Sequence, residues 1–182
     1  SLMSRGHCIT RVNLWISILF VRRMVYIKDK KVLFVIDDAK LKSGTSQMEL
    51  RFFPGISYKS AVENGALYDN GIVKFEILPF GNSNTVGRET VARTYNKDGG
   101  TKNAEAFTIK SSTGTLFQPT ALVWADKNDS LANVTLVSQS ASEVVFKVAD
   151  AENPDDRRGV RVRGTDAATS RSEAPRSSSR PE

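Results

Sequence analysis

The sequence predicts an all-β protein, an antiparallel β-sandwich of about ten strands with a disordered C-terminal tail. Three observations predict it. Short segments alternate apolar and polar residues with period 2, turn-forming Gly, Pro, Asn and Asp residues separate them at close intervals, and no segment keeps a helical period. No repeat of fixed length is visible, which argues against a propeller or a β-helix.

Residues 1–20 form an atypical N-terminal segment that contains arginine and no acid. Its apolar run Leu14 to Val21 is interrupted by Ser17 and falls far short of the ~20 residues of a membrane-spanning helix. A signal peptide's ordered regions are not recognisable in "SLMSRGHCITRV", so an export signal, if the body is secreted, is expected upstream.

A β-sandwich domain is expected over 21–150. It opens with "RRMVYIKDKKVLFVIDD", residues 22–38, in which two β-branched and aromatic runs, Met24 to Ile27 and Val32 to Ile36, flank the polar connection Lys28 to Lys31. Further strands are read at Met48-Leu50-Phe52, Val73-Phe75-Ile77 and Val144-Phe146-Val148, where apolar residues alternate with polar ones. Pro54-Gly55, Glu63-Asn64-Gly65, Asp69-Asn70-Gly71, Phe80-Gly81-Asn82, Lys97-Asp98-Gly99-Gly100 and Asp126 to Asp129 supply the turns. The tail 151–182 is rich in Ser, Arg and Pro and has too little apolar surface to offset the entropy of ordering it.

Charge separates the ends from the body. The chain of 182 residues carries +6 overall, of which residues 1–27 contribute four arginines and no acid, while 28–150 and 151–182 each net +1. A nearly neutral body argues against a nucleic-acid partner, which would need a clustered basic face. All lysines lie between Lys28 and Lys147, and both ends use arginine alone, a switch that suggests a different origin for the ends.

Cys8 is the only cysteine and His7 the only histidine. An internal disulfide is therefore excluded, as is a histidine and cysteine cluster for zinc. Asp37 and Asp38 close an apolar run, and because neighbours on a strand point to opposite faces, at most one of them can serve a site. Arg22 and Arg23 offer guanidinium forks suited to carboxylate or sulfate groups. Tyr95 stands in the polar loop of "VARTYNKDGG", where a phenol could bind or transfer a proton, and Trp124 ends an apolar run as a core residue. Asn128 and Asn133 fall in glycosylation-like triplets. No phosphate loop, nucleophile elbow or metal-binding helix motif occurs.

The order of these elements resembles the heparinase II/III-type polysaccharide lyases over residues 21–149. "VRRMVYIKDKKVLFVIDDAK" looks like the family segment that begins His-x-Arg or His-Arg-Arg, continues in a V-x-Y-x-K strand and ends in V-x-D. "QMELRFFPG" resembles the next strand, L-x-F-H-x-x-P-G, and "VARTYN" and "FQPTALVWAD" resemble the later S-x-x-Y-G and T-x-L elements. The resemblance implies the β-sandwich portion of an enzyme whose α/α toroid supplies the main catalytic tyrosine and which cleaves uronic-acid polysaccharides by β-elimination.

Carried over by residue, the resemblance places Asp37 or Asp38 at the metal-binding aspartate, with Asp38 preferred because it keeps the spacing from the His-x-Arg position, and Arg22, Arg23 and Tyr95 on the acidic polysaccharide. The family histidines are replaced by Val21 and, before the second strand, by Ser46 or its neighbours. The zinc site is therefore expected to be lost, and no cofactor and no catalytic residue are assigned to this chain. The resemblance further implies a periplasmic or extracellular location and the missing toroid as a partner. The alternative is a free-standing, non-catalytic carbohydrate-binding or adhesive sandwich. A sandwich separated from its toroid is expected to show an uncovered apolar or aromatic patch.

Overall fold

A computed structural model describes residues 18–41, 47–63, 65–81, 84–94, 100–140, 143–150, 152–153, 155 and 157–163. In these, twelve strands follow one another: β1 (Ile18–Ile27), β2 (Val32–Leu41), β3 (Met48–Phe52), β4 (Tyr58–Val62), β5 (Gly65–Asp69), β6 (Val73–Pro79), β7 (Thr85–Thr94), β8 (Thr101–Ser111), β9 (Thr115–Asp126), β10 (Asn133–Gln139), β11 (Glu143–Ala149) and β12 (Arg157–Arg163). The expected all-β class and antiparallel sandwich are both observed, with two more strands than the approximate ten. The described residues contain no helix long and apolar enough to cross a membrane.

The strands form one six-stranded sheet in the order β1-β2-β9-β6-β5-β4 and two three-stranded sheets, β10-β11-β12 and β3-β8-β7. Every pairing is antiparallel. Alternation along β2 and β9 shows how the three sheets stack. Val32, Phe34, Ile36, Ala121 and Val123 pack with Val144, Phe146, Val148, Val160 and Val162 of the β10-β11-β12 sheet. Ala39, Leu116, Ala66, Tyr68 and Ile77 pack instead with Leu50, Phe107 and Ile109 of the β3-β8-β7 sheet. The six-stranded sheet is thus the middle layer of three, with a separate core on each face.

Coverage on both faces explains the run Val32 to Ile36. A strand with one wet face would alternate, whereas a strand roofed above and below is apolar at successive positions. Phe34, Val35 and Ile36 are all buried.

Local chemistry sets the connections. Between β1 and β2 a single 3-10 turn spans Lys28–Lys30, and Lys31 closes it at φ 51° by donating its N–H to the Lys28 carbonyl at 3.3 Å. Between β5 and β6, the Asp69 carboxylate accepts the Gly71 N–H at 2.7 Å and the Asn70 side chain accepts the N–H groups of Ile72 and Val73. Gly71 sits at φ 80°, where a side chain would be strained. Gly65, by contrast, is required by proximity, because a Cβ there would lie 2.1 Å from the Ile77 carbonyl oxygen.

Two expectations about the ends need correction. β1 begins at Ile18, inside the segment set apart as 1–20, and β12 lies inside the tail expected to be disordered. In β12 the residues Val160 and Val162 alternate with arginines and are both buried on the β11 side of the core. Averaging composition over the whole tail hides this short amphipathic stretch. Residues 1–17 and 164–182 lie outside the described residues.

Candidate functional site

The β1 and β2 hairpin carries the predicted polar residues, and its register assigns each a face. Arg22 stands opposite Asp37, Arg23 opposite Ile36, and Val21 opposite Asp38. Arg22 grips Asp37 with two parallel bonds, Nε to Oδ1 at 2.6 Å and Nη2 to Oδ2 at 3.0 Å. Asp37 is fully buried, whereas the Arg22 side chain keeps 35% of its exposure. Burial raises the Asp37 pKa above the usual carboxylate value, against the downward pull of the Arg22 guanidinium.

Asp38 points to the other face, half-buried, between Val21 on β1 and Phe117 on β9. The position at which the resembled family has a histidine therefore does face this aspartate, but valine occupies it. Among the described residues, no three His, Cys, Asp or Glu side chains converge as a ligand set. Tyr95 lies outside the described residues, in the connection between β7 and β8. The structure therefore joins Arg22 to Asp37 and brings neither Arg23 nor Asp38 into that pair.

Next in the same row is Gln118 of β9, opposite Asp37 and almost wholly buried. Its role follows from its neighbour, Pro119. In an antiparallel ladder a residue's N–H and C=O point to the same strand. The Pro119 carbonyl accepts the Phe80 N–H at 2.9 Å, so the missing proline N–H would have faced Phe80. Gln118 supplies the absent donor: its Nε2 donates to the Phe80 carbonyl at 3.0 Å and to the Pro119 carbonyl at 2.6 Å, while its Oε1 accepts the Asn84 side-chain amide at 2.8 Å.

Gln118→Ala should therefore cost ~1–3 kcal/mol in urea unfolding, the range for an orphaned buried polar group. Gln118→Glu should be no better, since an ionised carboxylate cannot donate. A loss within about 0.5 kcal/mol of zero for Gln118→Ala would mean that the substitute donor is dispensable.

Two aromatic groups complete the inventory. Tyr26 and Trp124 stack across β2 with ring centroids 5.5 Å apart and planes at 14°, and Tyr26 remains 49% exposed. Trp124 is half-buried, so it is neither a pure core residue nor a free platform. At the opposite edge of the central sheet, the Arg88 guanidinium lies 3.3 Å from the Tyr58 ring centre and binds Glu105 at 3.3 Å. Tyr68, packed edge-on to Tyr58, has its phenol pushed up to about 12, chiefly by burial and then by the Glu105 charge. Such a phenol stays protonated and is unsuited to act as a base.

Sequence reading missed Asp37 as the buried partner and Gln118 altogether. The parity of the hairpin could have found the first, and a glutamine directly before a proline within an apolar strand could have signalled the second. The described side chains of this region supply cations and fixed hydrogen bonds. They define a three-layer antiparallel β-sandwich with a polar seam across its central sheet.

No protein-family model matches the chain, and no curated protein does. Among solved structures, the crystal structure of heparinase III is similar, with a TM-score of 0.55 and 13% identity over 81% of this chain and 24% of that one. At that identity the likeness shows a shared fold. This chain spans about a quarter of the heparinase III chain it matches.

Proposed function

We propose that the chain is the β-sandwich portion of a heparinase II/III-type polysaccharide lyase, supporting an α/α toroid and forming one wall of its cleft. The observation that carries this reading is the coincidence of the family-like hairpin at 21–40 with a fold shared with heparinase III over 81% of the chain. The 49% exposed Tyr26 ring, stacked on half-buried Trp124, is the aromatic surface that this reading assigns to the docking face. In this reading the parent acts on a uronic-acid polysaccharide in the periplasm or outside the cell.

β-Elimination needs a cation for the uronate carboxylate, a base for the α-proton and an acid for the leaving oxygen. Arg23 and Tyr95 remain candidates for contact with the acidic polymer. Arg22 spends its Nε and Nη2 on Asp37, so only the rest of its partly exposed side chain is left for the polymer. The base comes from the toroid, and Asp38 without imidazole partners holds no zinc.

Two measurements test this. The purified chain alone should generate no ultraviolet-absorbing unsaturated product from heparin, heparan sulfate or alginate. The coding DNA ahead of Ser1 should encode a helix-rich region rich in Trp and Tyr. Product formed by the isolated chain, or a start codon and export signal directly ahead of Ser1, would count against the proposal and, in the second case, favour a free-standing carbohydrate binder.

A further inference from the structure

The turn between β5 and β6 contains a sequence able to react with itself. In an Asn-Gly pair the glycine nitrogen can attack the asparagine side-chain amide, and glycine has no side chain to shield that nitrogen. The chain has two such pairs, Asn64-Gly65 and Asn70-Gly71, of which Asn64 lies outside the described residues. Asn70 and Gly71 are both exposed, and a Cβ on Gly71 would meet nothing within 4 Å, so water has access to the turn.

The reaction needs no reagent but water. The Gly71 nitrogen gives up its proton and bonds to the Asn70 Cγ, the Cγ–Nδ2 bond breaks, and ammonia leaves with that proton. Water then opens the five-membered imide. Attack at the former side-chain carbonyl gives aspartate, and attack at the main-chain carbonyl gives isoaspartate, in which the chain runs on through Cγ.

Three hydrogen bonds oppose the first step. The Asp69 carboxylate accepts the Gly71 N–H at 2.7 Å, which sets a negative charge beside the nitrogen that must lose its proton. A like charge there makes the amide anion costlier to form. The Asn70 Oδ1 accepts the N–H groups of Ile72 and Val73 at 2.9 and 2.8 Å, restraining the rotation that brings Cγ onto the Gly71 nitrogen. Asp69 is itself held, because its other oxygen accepts a bond from the Lys59 ammonium at 2.6 Å. The Lys59 bond first, and then the Gly71 N–H, lower the Asp69 pKa below the ordinary carboxylate value, so the guarding charge is present at neutral pH.

We propose that Asn70 is a latent deamidation site, kept intact by Asp69 while the turn is closed and converted to isoaspartate once it opens. Conversion adds an atom to the main chain between β5 and β6 and displaces the acceptor that Ile72 and Val73 share. The Ile72 carbonyl also accepts the Lys127 N–H at 2.8 Å, so the change reaches the connection that follows β9. This inference rests on the turn alone and is independent of the lyase reading.

The test is prolonged incubation of the intact chain at neutral pH, folded and in urea, followed by peptide mapping of isoaspartate at position 70. Conversion in the folded chain is expected to be at least about tenfold slower than in urea, and Asp69→Ala should speed it about fivefold, the equivalent of one net hydrogen bond. Because Asp69→Ala could open the hairpin, Asp69→Ser serves beside it. The serine hydroxyl can still accept the Gly71 N–H but carries no charge, so conversion should fall between the parent chain and Asp69→Ala. Amide exchange across 65–79 reports whether each variant keeps the hairpin. Equal rates at Asn70 in the folded and urea samples, or a variant that keeps the hairpin and converts no faster than the parent chain, would each overturn the proposal.

Discussion

Arg22→Ala is expected to destabilise the protein by ~3 kcal/mol at pH 7, the low end for removing one partner of a buried ion pair because water still reaches the arginine. The loss comes from stranding the Asp37 carboxylate in a fully buried position. It should shrink as pH falls toward the ordinary aspartate value near ~3.9, where a neutral acid no longer needs the guanidinium. The sign in the intact protein is related. With its folded pKa raised, Asp37 binds its proton more tightly folded than unfolded, so its contribution to stability falls as pH rises through the interval between those values. Urea unfolding at pH 7 and pH 4 checks both statements. An Arg22→Ala deficit of equal size at the two pH values would show that it arises from lost packing against Phe20 and its neighbours, not from the carboxylate.

Phe146→Ala should cost ~3–5 kcal/mol, the usual loss for a phenylalanine in a closed core. Phe146 is wholly buried, stacks on Phe34 of the central sheet with centroids 4.3 Å apart and meets the Phe80 ring edge-on at 5.3 Å. It is therefore the main fastening between the β10-β11-β12 sheet and the middle layer. Because the other core lies on the opposite face, amide exchange should speed up first in β10, β11 and β12, while β3 and β8 keep their protection. Uniform loss of protection across both outer sheets would mean that the two cores unfold as one.

Much of this architecture was legible from residue patterns. Alternation located β3, β6 and β11, and the turn residues at Asp69 to Gly71 gave the hairpin that the backbone makes. Less legible was the third layer. The continuous run Val32 to Ile36 states that β2 is covered on both sides, but its partners, Phe146 and Ile109, lie more than seventy residues away in the chain, and local pattern does not encode which distant strand arrives on which face. β12 was lost for a different reason, since Val160 and Val162 are two apolar residues in a tail dominated by Arg and Ser.

The polar seam shows the same limit. That only one of Asp37 and Asp38 could face a given site follows from strand geometry. Which one meets Arg22 depends on the hairpin register, itself fixed by the single turn at Lys28 to Lys31. Spacing from the resembled motif favours Asp38 as a ligand, and the register leaves it facing Val21, while Asp37 takes the guanidinium. Gln118 is harder to read, because its task becomes visible only when Pro119 is placed against Phe80.

The Arg22 and Asp37 clasp has a bearing on how the chain finds its fold. Were β2 to slide past β1 by one residue, Asp37 would leave its guanidinium, and inverting the strand's two faces would press that carboxylate toward Phe146 and the valines of β11 and β12 in the other core. An uncompensated buried charge makes that misaligned hairpin unstable enough to dissolve and try again. In an all-β chain whose strands are rich in valine and could pair in several ways, the ion pair thus acts as a proofreader of alignment during folding.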